Sequence, residues 1–105
     1  MKTAITSTGN HLDSEFDLRF GRAGWFCILD EDTGKTSFIR NEQINASHGA
    51  GTRTVEKMME LGVGKVISGD FGPKAKELLE KFNIQMIILE DEQLTIKEII
   101  KKIQN

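Results

Sequence analysis

The sequence contains one cysteine, one proline and no tyrosine among its 105 residues. One cysteine cannot form an internal disulfide, and by itself it cannot supply a zinc finger or the thiolate set of an iron–sulfur centre. Even the longest apolar runs, such as residues 25–29 and 86–89, are too short to span a bilayer, and the N-terminal residues turn polar too soon for a signal peptide. A net charge of −2 argues against nucleic-acid binding through bulk charge. These absences predict one soluble, cytoplasmic domain over residues 1–105, with neither membrane nor nucleic acid as a partner and with a monomer as an acceptable state.

The spacing of apolar residues predicts five strands and three helices. The predicted strands cover residues 2–7, 25–29, 35–40, 65–68 and 84–89, with a polar, irregular stretch between the first two. Apolar stripes of helical period occur three times, at Val55, Met58, Met59 and Gly62, at Ala75, Leu78, Leu79 and Phe82, and at Ile96, Ile99, Ile100 and Ile103.

Residues typical of helix starts and ends support the prediction of these helices. Pro73 suits a first helical position, and Thr95 with Glu98 has the spacing of a capping box. Gly62 and Gly64 are expected to stop the first helix.

The element order β-β-β-α-β-α-β-α predicts an α/β fold. The first three strands form an antiparallel meander, and right-handed helical crossovers bring the last two strands in parallel beside the first. The expected result is a five-stranded mixed sheet of order 3-2-1-4-5 with three helices, which is the ribonuclease H-like motif. Strands 1, 3, 4 and 5 then end at one edge, where the loops 8–24, 41–51, 69–73 and 90–95 meet and where open sheets usually bind ligands.

These loops carry the residues most suited to a ligand. Glycine-flanked helix starts at residues 48–52 and 69–73 offer backbone N–H groups to an anion, and arginines add positive charge. The glycines could equally serve only tight turns. The candidate binding residues are His11, Arg19, His48, Gly49, Gly51, Thr52, Arg53, Gly69, Asp70 and Gly72, with Arg22 as a further source of charge.

The two histidines, His11 and His48, are the candidate metal ligands. Two imidazoles are too few for a structural zinc site, but they could hold a preassembled cluster that brings most of its own ligands. They could equally be solvated surface residues. Cys27 lies in mid-strand, where a buried, inert thiol is the expected state.

Several enzymatic sites are absent from the sequence. No P-loop is present, and Gly49-Ala50-Gly51 lacks the third glycine of a dinucleotide fingerprint. Two-metal nuclease chemistry needs several carboxylates, whereas the first strand has none and Asp70 stands alone. We therefore expect a protein without catalytic residues.

Several segments resemble the dinitrogenase iron–molybdenum cofactor biosynthesis family, which includes NifX-like carriers and the C-terminal domain of NifB-like proteins. The resemblance covers about residues 3–100. The matching segments are Phe-Asp-Leu-Arg-Phe-Gly-Arg-Ala at 16–23, His-Gly-Ala-Gly at 48–51, Leu-Gly-Val at 61–63, Val-Ile-Ser-Gly-Asp-Phe-Gly-Pro-Lys-Ala at 66–75, and Leu79 with Phe-Asn-Ile at 82–84.

This resemblance implies a ribonuclease H-like fold and the transient binding of iron–sulfur or iron–molybdenum cluster precursors. It also implies metallocluster assembly proteins as partners. The sequence contains neither a radical-SAM domain nor a cysteine motif for a permanent cluster. The leading interpretation is a non-enzymatic carrier of a metal–sulfur cluster or iron–molybdenum cofactor precursor. The alternatives are a small-anion or nucleotide-binding module and a ligand-free protein-interaction domain.

Overall fold

The computed structural model describes residues 1–43 and 48–104. It has eight elements, in the order β1 (Lys2–Ser7), β2 (Trp25–Asp30), β3 (Thr36–Arg40), α1 (Ala50–Glu60), β4 (Val63–Ser68), α2 (Pro73–Lys81), β5 (Gln85–Ile88) and α3 (Ile96–Ile103). Within these ranges no helix combines the length and the apolar character needed to cross a bilayer.

The sheet has the order β3-β2-β1-β4-β5, which confirms the predicted topology. β2 pairs antiparallel with both β1 and β3, whereas β4 runs parallel to β1 and β5 parallel to β4. Ile5 at the centre of β1 faces Cys27 on one side and Ile67 on the other. The carboxyl ends of β1, β4 and β5 therefore lie at one edge, as do the starts of the helices that follow β4 and β5.

The helices cover opposite faces of the sheet. On the first face α1 and α2 pack side chains such as Val55 and Leu79 against Val66. On the second face α3 alone packs Ile96 and Ile99 over Ile67 and Cys27. These helical side chains have no exposed surface, so the predicted stripes do form the two halves of the core.

Two members of the predicted stripes lie outside this core. Met59, in the last turn of α1, is 44% exposed, and Phe82, just beyond the last residue of α2, is 39% exposed. The ammonium of Lys81 lies 5.9 Å from the centre of the Phe82 ring and covers part of it. Gly64 is not a helix stop, because Gly62 with φ of 74° ends the turn and β4 begins at once.

The stretch between β1 and β2 is more ordered than its polar sequence predicts. Phe16, Phe20 and Ala23 each have at most 1% of their surface exposed. Single β-bridges join Phe16 to Ser7 and Arg19 to Asp70. The stretch therefore extends the sheet edge and closes the core above it.

Candidate ligand-binding cleft

The starts of α1 and α2 lie side by side at the sheet edge. A Cβ atom placed on Gly51 would lie 3.3 Å from the Cβ of Ala75, and one placed on Gly21 would lie 3.1 Å from the Gly51 nitrogen. The backbone at Gly21 thus packs on the backbone of α1, and the Ala75 methyl group packs on Gly51. The loop that carries Gly21 lies against the first turn of α1.

A surface cleft opens where these three segments meet, and we call it the helix-start cleft. Its first part has a volume of about 310 Å³ and is shared by the 19–22 loop, the start of α1 and the loop before α2. A second part of about 230 Å³ continues across residues 49–52 and 71–75. Both parts include Ala50, Gly51, Phe71 and Gly72, so they form one continuous depression.

Both helices begin at a glycine. Gly49 precedes α1 with φ of 75°, and Gly72 precedes α2 with φ of 66°, a backbone region that glycine adopts readily. Within the described ranges no side chain caps either helix, and neither first turn carries an acidic residue. The first-turn N–H groups of these helices, Pro73 excepted, therefore have no intrahelical acceptor, and they concentrate the positive end of each helix dipole at the cleft.

The start of α3 provides the opposite case at the same edge. Ile96 N–H donates to the Ser14 carbonyl at 2.9 Å, and Lys97 N–H donates to the Leu12 carbonyl at 2.8 Å. Glu98 N–H donates to the Thr95 hydroxyl at 3.2 Å, and the Glu98 carboxylate accepts from Thr95 N–H at 3.0 Å. The capping box is complete, as predicted, and the backbone N–H groups in the first turn of α3 all have hydrogen-bond acceptors within the protein.

One wall of the cleft depends on a buried carboxylate. The side chain of Asp17 is 7% exposed, and its oxygens accept from Arg19 Nε at 3.2 Å and Arg19 Nη2 at 3.3 Å. They also accept from the backbone N–H of Arg19 at 3.0 Å and of Gly24 at 3.4 Å. The hydrogen bonds and the charge of Asp17 raise the pKa of the Arg19 guanidinium. The Arg19 side chain is 62% exposed, so its charge reaches the cleft.

Asp70 introduces a negative charge into the same cleft. Its carboxylate accepts from the Gly72 N–H at 3.2 Å, which fixes the turn before α2. The Asp70 backbone carbonyl accepts from Phe20 N–H at 3.0 Å, and Gly69 N–H donates to the Leu18 carbonyl at 3.1 Å. Asp70 therefore shapes the cleft while opposing the binding of an anion in it.

The predicted site residues separate into three groups. Arg19, Gly51, Asp70 and Gly72 line the first part of the cleft, together with Arg22. Gly49 and Thr52 line the second part. Gly69 borders an adjoining cavity of about 490 Å³ at β5, and exposed Arg53 lies in a separate cavity beside β3, where its guanidinium donates to the Gln43 side chain at 3.4 Å.

The two histidines are held on different faces of the sheet. The backbone of His11 forms a turn with Ser14, at 2.9 Å and 3.2 Å, in the loop that binds the start of α3. Exposed His48 directly precedes Gly49 and α1. A ligand bound by both imidazoles would have to reach across the sheet edge. Residues 44–47 lie outside the described residues.

Conventional metal ligands do not converge in the described part of the chain. No group of three or more histidine, cysteine and carboxylate side chains has the arrangement to hold a metal ion there. Cys27 is fully buried, and burial raises the pKa of its thiol to about 12. The thiol is therefore protonated near neutral pH and is a poor ligand or nucleophile.

Three residues that build the cleft, Asp17, Phe20 and Gly21, were not among the predicted site residues, and Phe71 was included only as part of the helix start 69–73. The rings of Phe20 and Phe71 lie 5.3 Å apart and form the apolar base below the cleft. The Phe20-Gly21 pair in the polar loop was a usable sequence signal. An aromatic residue in such a loop indicates a buried side chain, and a glycine beside it permits close approach of another backbone segment.

Known proteins share this architecture. The structure superposes with a TM-score of 0.88 on the apo form of the orange protein from Desulfovibrio gigas, at 32% identity over 97% of this chain and 85% of that protein. It matches a putative NifB protein from Thermotoga, described as a DUF35 family member, with a TM-score of 0.83 and 30% identity over 97% of this chain and 85% of that one. An uncharacterized protein of Methanocaldococcus jannaschii is 29% identical over 89 residues, which is 82% of this chain and 72% of that protein.

The family match extends over the whole sequence. Residues 1–105 match the family described as "dinitrogenase iron-molybdenum cofactor". This agrees with the resemblance seen in the segments around Phe20, Gly49 and Gly72. The chain belongs to the dinitrogenase iron-molybdenum cofactor family.

Proposed function

We propose that this protein binds a small anionic metal–sulfur cluster, or an iron–molybdenum cofactor precursor, in the helix-start cleft and carries it without chemical change. One observation supports this most strongly: of three helix starts at one sheet edge, the two with uncapped donors open into the same cleft. The third start is fully capped. Uncapped donors beside an arginine form an environment suited to an anion.

The ligand chemistry follows from these donors. Sulfide-bridged clusters often carry net negative charge, and backbone N–H groups stabilise charge on sulfur without forming a bond to the metal. A carrier must also release its cargo, so few direct ligands and many weak donors suit the task. His48, next to the start of α1, is the candidate for one exchangeable metal bond, and His11 would have to reach around the edge to contribute.

Two relatives support this proposal. The orange protein structure is described as an apo form, and the Thermotoga relative is described as a putative NifB protein. We propose metallocluster assembly proteins as the partners that deliver and accept the cargo. A binding module for a small oxyanion is the second candidate, because the same donors would hold one.

We assign the sheet order to the ribonuclease H-like motif and propose that this member is not an enzyme. Nucleases with this architecture need a cluster of carboxylates around two metal ions. Strand β1 carries no acidic residue. The buried carboxylate at the edge, Asp17, is already paired with Arg19.

The test is anaerobic titration with tetrathiomolybdate, a coloured metal–sulfide anion, followed by visible absorption and by backbone amide shifts. We expect the shifts to concentrate at residues 49–52 and 70–75. Gly51→Val should weaken binding by about tenfold, because its Cβ would lie 3.3 Å from the Ala75 Cβ and the larger side chain would push the two helix starts apart. Lys97→Val, at the equivalent position in α3, is the matched control and should leave the affinity within about twofold.

A second pair of measurements separates the histidine from the backbone. If His48 forms a metal bond, His48→Ala weakens the binding of an iron–sulfur cluster by about tenfold and leaves the binding of sulfate unchanged. Gly51→Val weakens both. Shifts confined to the hairpin end near residues 32–34, or absence of binding by any of these anions, would contradict the proposed site and function.

A further inference from the structure

The Asp17–Arg19 pair differs from an ordinary surface salt bridge. The carboxylate is almost wholly buried while the guanidinium is mostly exposed, with side-chain exposures of 7% and 62%. An exposed arginine normally samples many rotamers, and its ion pairs contribute little. Here the buried partner cannot move, because the Asp17 backbone N–H donates to the Thr6 carbonyl at 3.0 Å and its carbonyl accepts from the Thr6 hydroxyl.

The pair also has a defined orientation. Asp17 contacts Nε and Nη2, which form one edge of the guanidinium plane. An arginine has five N–H donors in a rigid fork. The edge formed by the two Nη atoms therefore stays available while the other edge is held. Because Arg19 lines the helix-start cleft, a second acceptor can approach there.

We infer that Asp17 is a positioning residue that holds Arg19 as a preoriented fork at the cleft, and that this fork selects polyatomic anions with two neighbouring sulfur or oxygen atoms. This inference rests on the proposed function and names a ligand class for it. The held fork lowers the entropy lost on binding, because the side chain is already in place. Asp17 also accepts from the backbone of Arg19 and Gly24, so it fixes both ends of the loop that forms this wall.

The first experiment measures the fork in the free protein by the hydrogen exchange and relaxation of the Arg19 Nε–H group. We expect a slowly exchanging, ordered signal in the native protein. In Asp17→Asn it should exchange at least about tenfold faster, because the charged acceptor is gone. An Arg19 Nε–H that is equally mobile in both proteins would overturn the inference, and this result does not depend on any ligand.

The second experiment is a double-mutant cycle with tetrathiomolybdate as the probe. Arg19→Ala should weaken binding by about tenfold and Asp17→Asn by about fivefold, whereas the double variant should bind no worse than Arg19→Ala. An Asp17→Asn loss of the same size in the Arg19→Ala background means a purely structural role. Tighter binding by Asp17→Asn means that Asp17 acts only as a counter-charge. Either result contradicts the inference.

Arg19→Lys provides a variant that does not disturb the buried site. It keeps the positive charge and leaves the backbone bonds of Asp17 intact, but an ammonium has no fork for Asp17 to orient. We expect it to bind the probe as weakly as Arg19→Ala. Native affinity in Arg19→Lys would show that charge alone suffices. If even the native protein does not bind the probe, the proposed function fails, and the exchange measurement still tests the position of Arg19.

Discussion

The starts of α1 and α3 lie at the same sheet edge and differ in how their donors are used. At α3, two carbonyls of the loop between β1 and β2 and the Thr95 hydroxyl of the capping box accept the donors of the first turn. At α1, a glycine occupies the cap position and no described side chain caps the helix. Both helices begin at the same sheet edge, so the edge itself does not determine whether a helix start is capped.

The difference shows that this fold permits a capped helix start at this sheet edge. The α3 sequence shows that capping with ordinary residues is available at the edge. At α1 and α2 the cap residues are glycines with positive φ, a backbone region that serine and aspartate adopt less readily, so no side chain satisfies the first-turn donors there. Donors left without a side-chain acceptor are expected where a ligand completes them.

The largest effect should come from the core beneath each face. Leu79 belongs to α2 and Ile99 to α3, and neither side chain has exposed surface. Replacing either with alanine should cost about 2–5 kcal/mol of unfolding free energy. Urea unfolding measures this cost. A loss below about 1 kcal/mol for one of them would show that its face contributes less to the core than its burial indicates.

Removing the cap of α3 should affect stability alone. Thr95→Ala deletes the acceptor of Glu98 N–H and should cost about 1 kcal/mol. Tetrathiomolybdate binding at the helix-start cleft should be unchanged, because α3 lies on the other face. Unfolding curves and titrations of the same samples provide both numbers. Weaker anion binding by Thr95→Ala would contradict the view that the start of α3 and the helix-start cleft act independently.

The negative charge of Asp70 should limit anion affinity at the cleft. Asp70→Asn retains an oxygen to accept from Gly72 N–H and removes one charge, so binding should tighten by about twofold to fivefold at low ionic strength. Asp91→Asn is the matched control, because the Asp91 carboxylate accepts from Gln93 N–H in the same local turn at 3.0 Å, in the loop before α3. Equal gains in both variants would indicate a general charge effect instead.

The smallest expected effect is the pH dependence of the stability that Glu98 contributes at the start of α3. The Thr95 backbone N–H and hydroxyl donate to the Glu98 carboxylate and hold the pKa of that group below its ordinary value. A lowered folded pKa stabilises the protein above the unfolded pKa of about 4.3, and this contribution is lost as pH falls through the folded pKa. The stability difference between the native protein and Glu98→Gln should therefore hold above about pH 5 and shrink below pH 4. A constant difference over that range would exclude a role for the carboxylate charge.

Much of the fold was predictable because it depends on local signals. Apolar period, the Thr95–Glu98 box and Pro73 identified the three helices, and the element order determined the sheet order. Strand bounds were less predictable: β4 begins at Val63, two residues before the predicted start, because a single glycine completes the turn from α1.

The cleft was predictable only in part. Topology placed the two glycine-rich starts together, but it could not show which side chains face inward. Arg53 lies two residues beyond Gly51, about 200° around the helix, and so it points away from the cleft. Asp17 was not among the predicted site residues, because only tertiary contacts reveal a buried carboxylate that holds an exposed arginine.

The close packing of Gly21 on Gly51, and of Gly51 on Ala75, restricts how this protein can evolve. Any larger side chain at Gly51 would meet another part of the chain within 3.3 Å. A larger residue at the floor of the cleft therefore requires its neighbours to shift, whereas rim positions such as Arg19, Asp70 and Lys74 do not carry this restriction. Variation among natural homologues or engineered libraries should concentrate at these rim positions, with the backbone floor inherited unchanged.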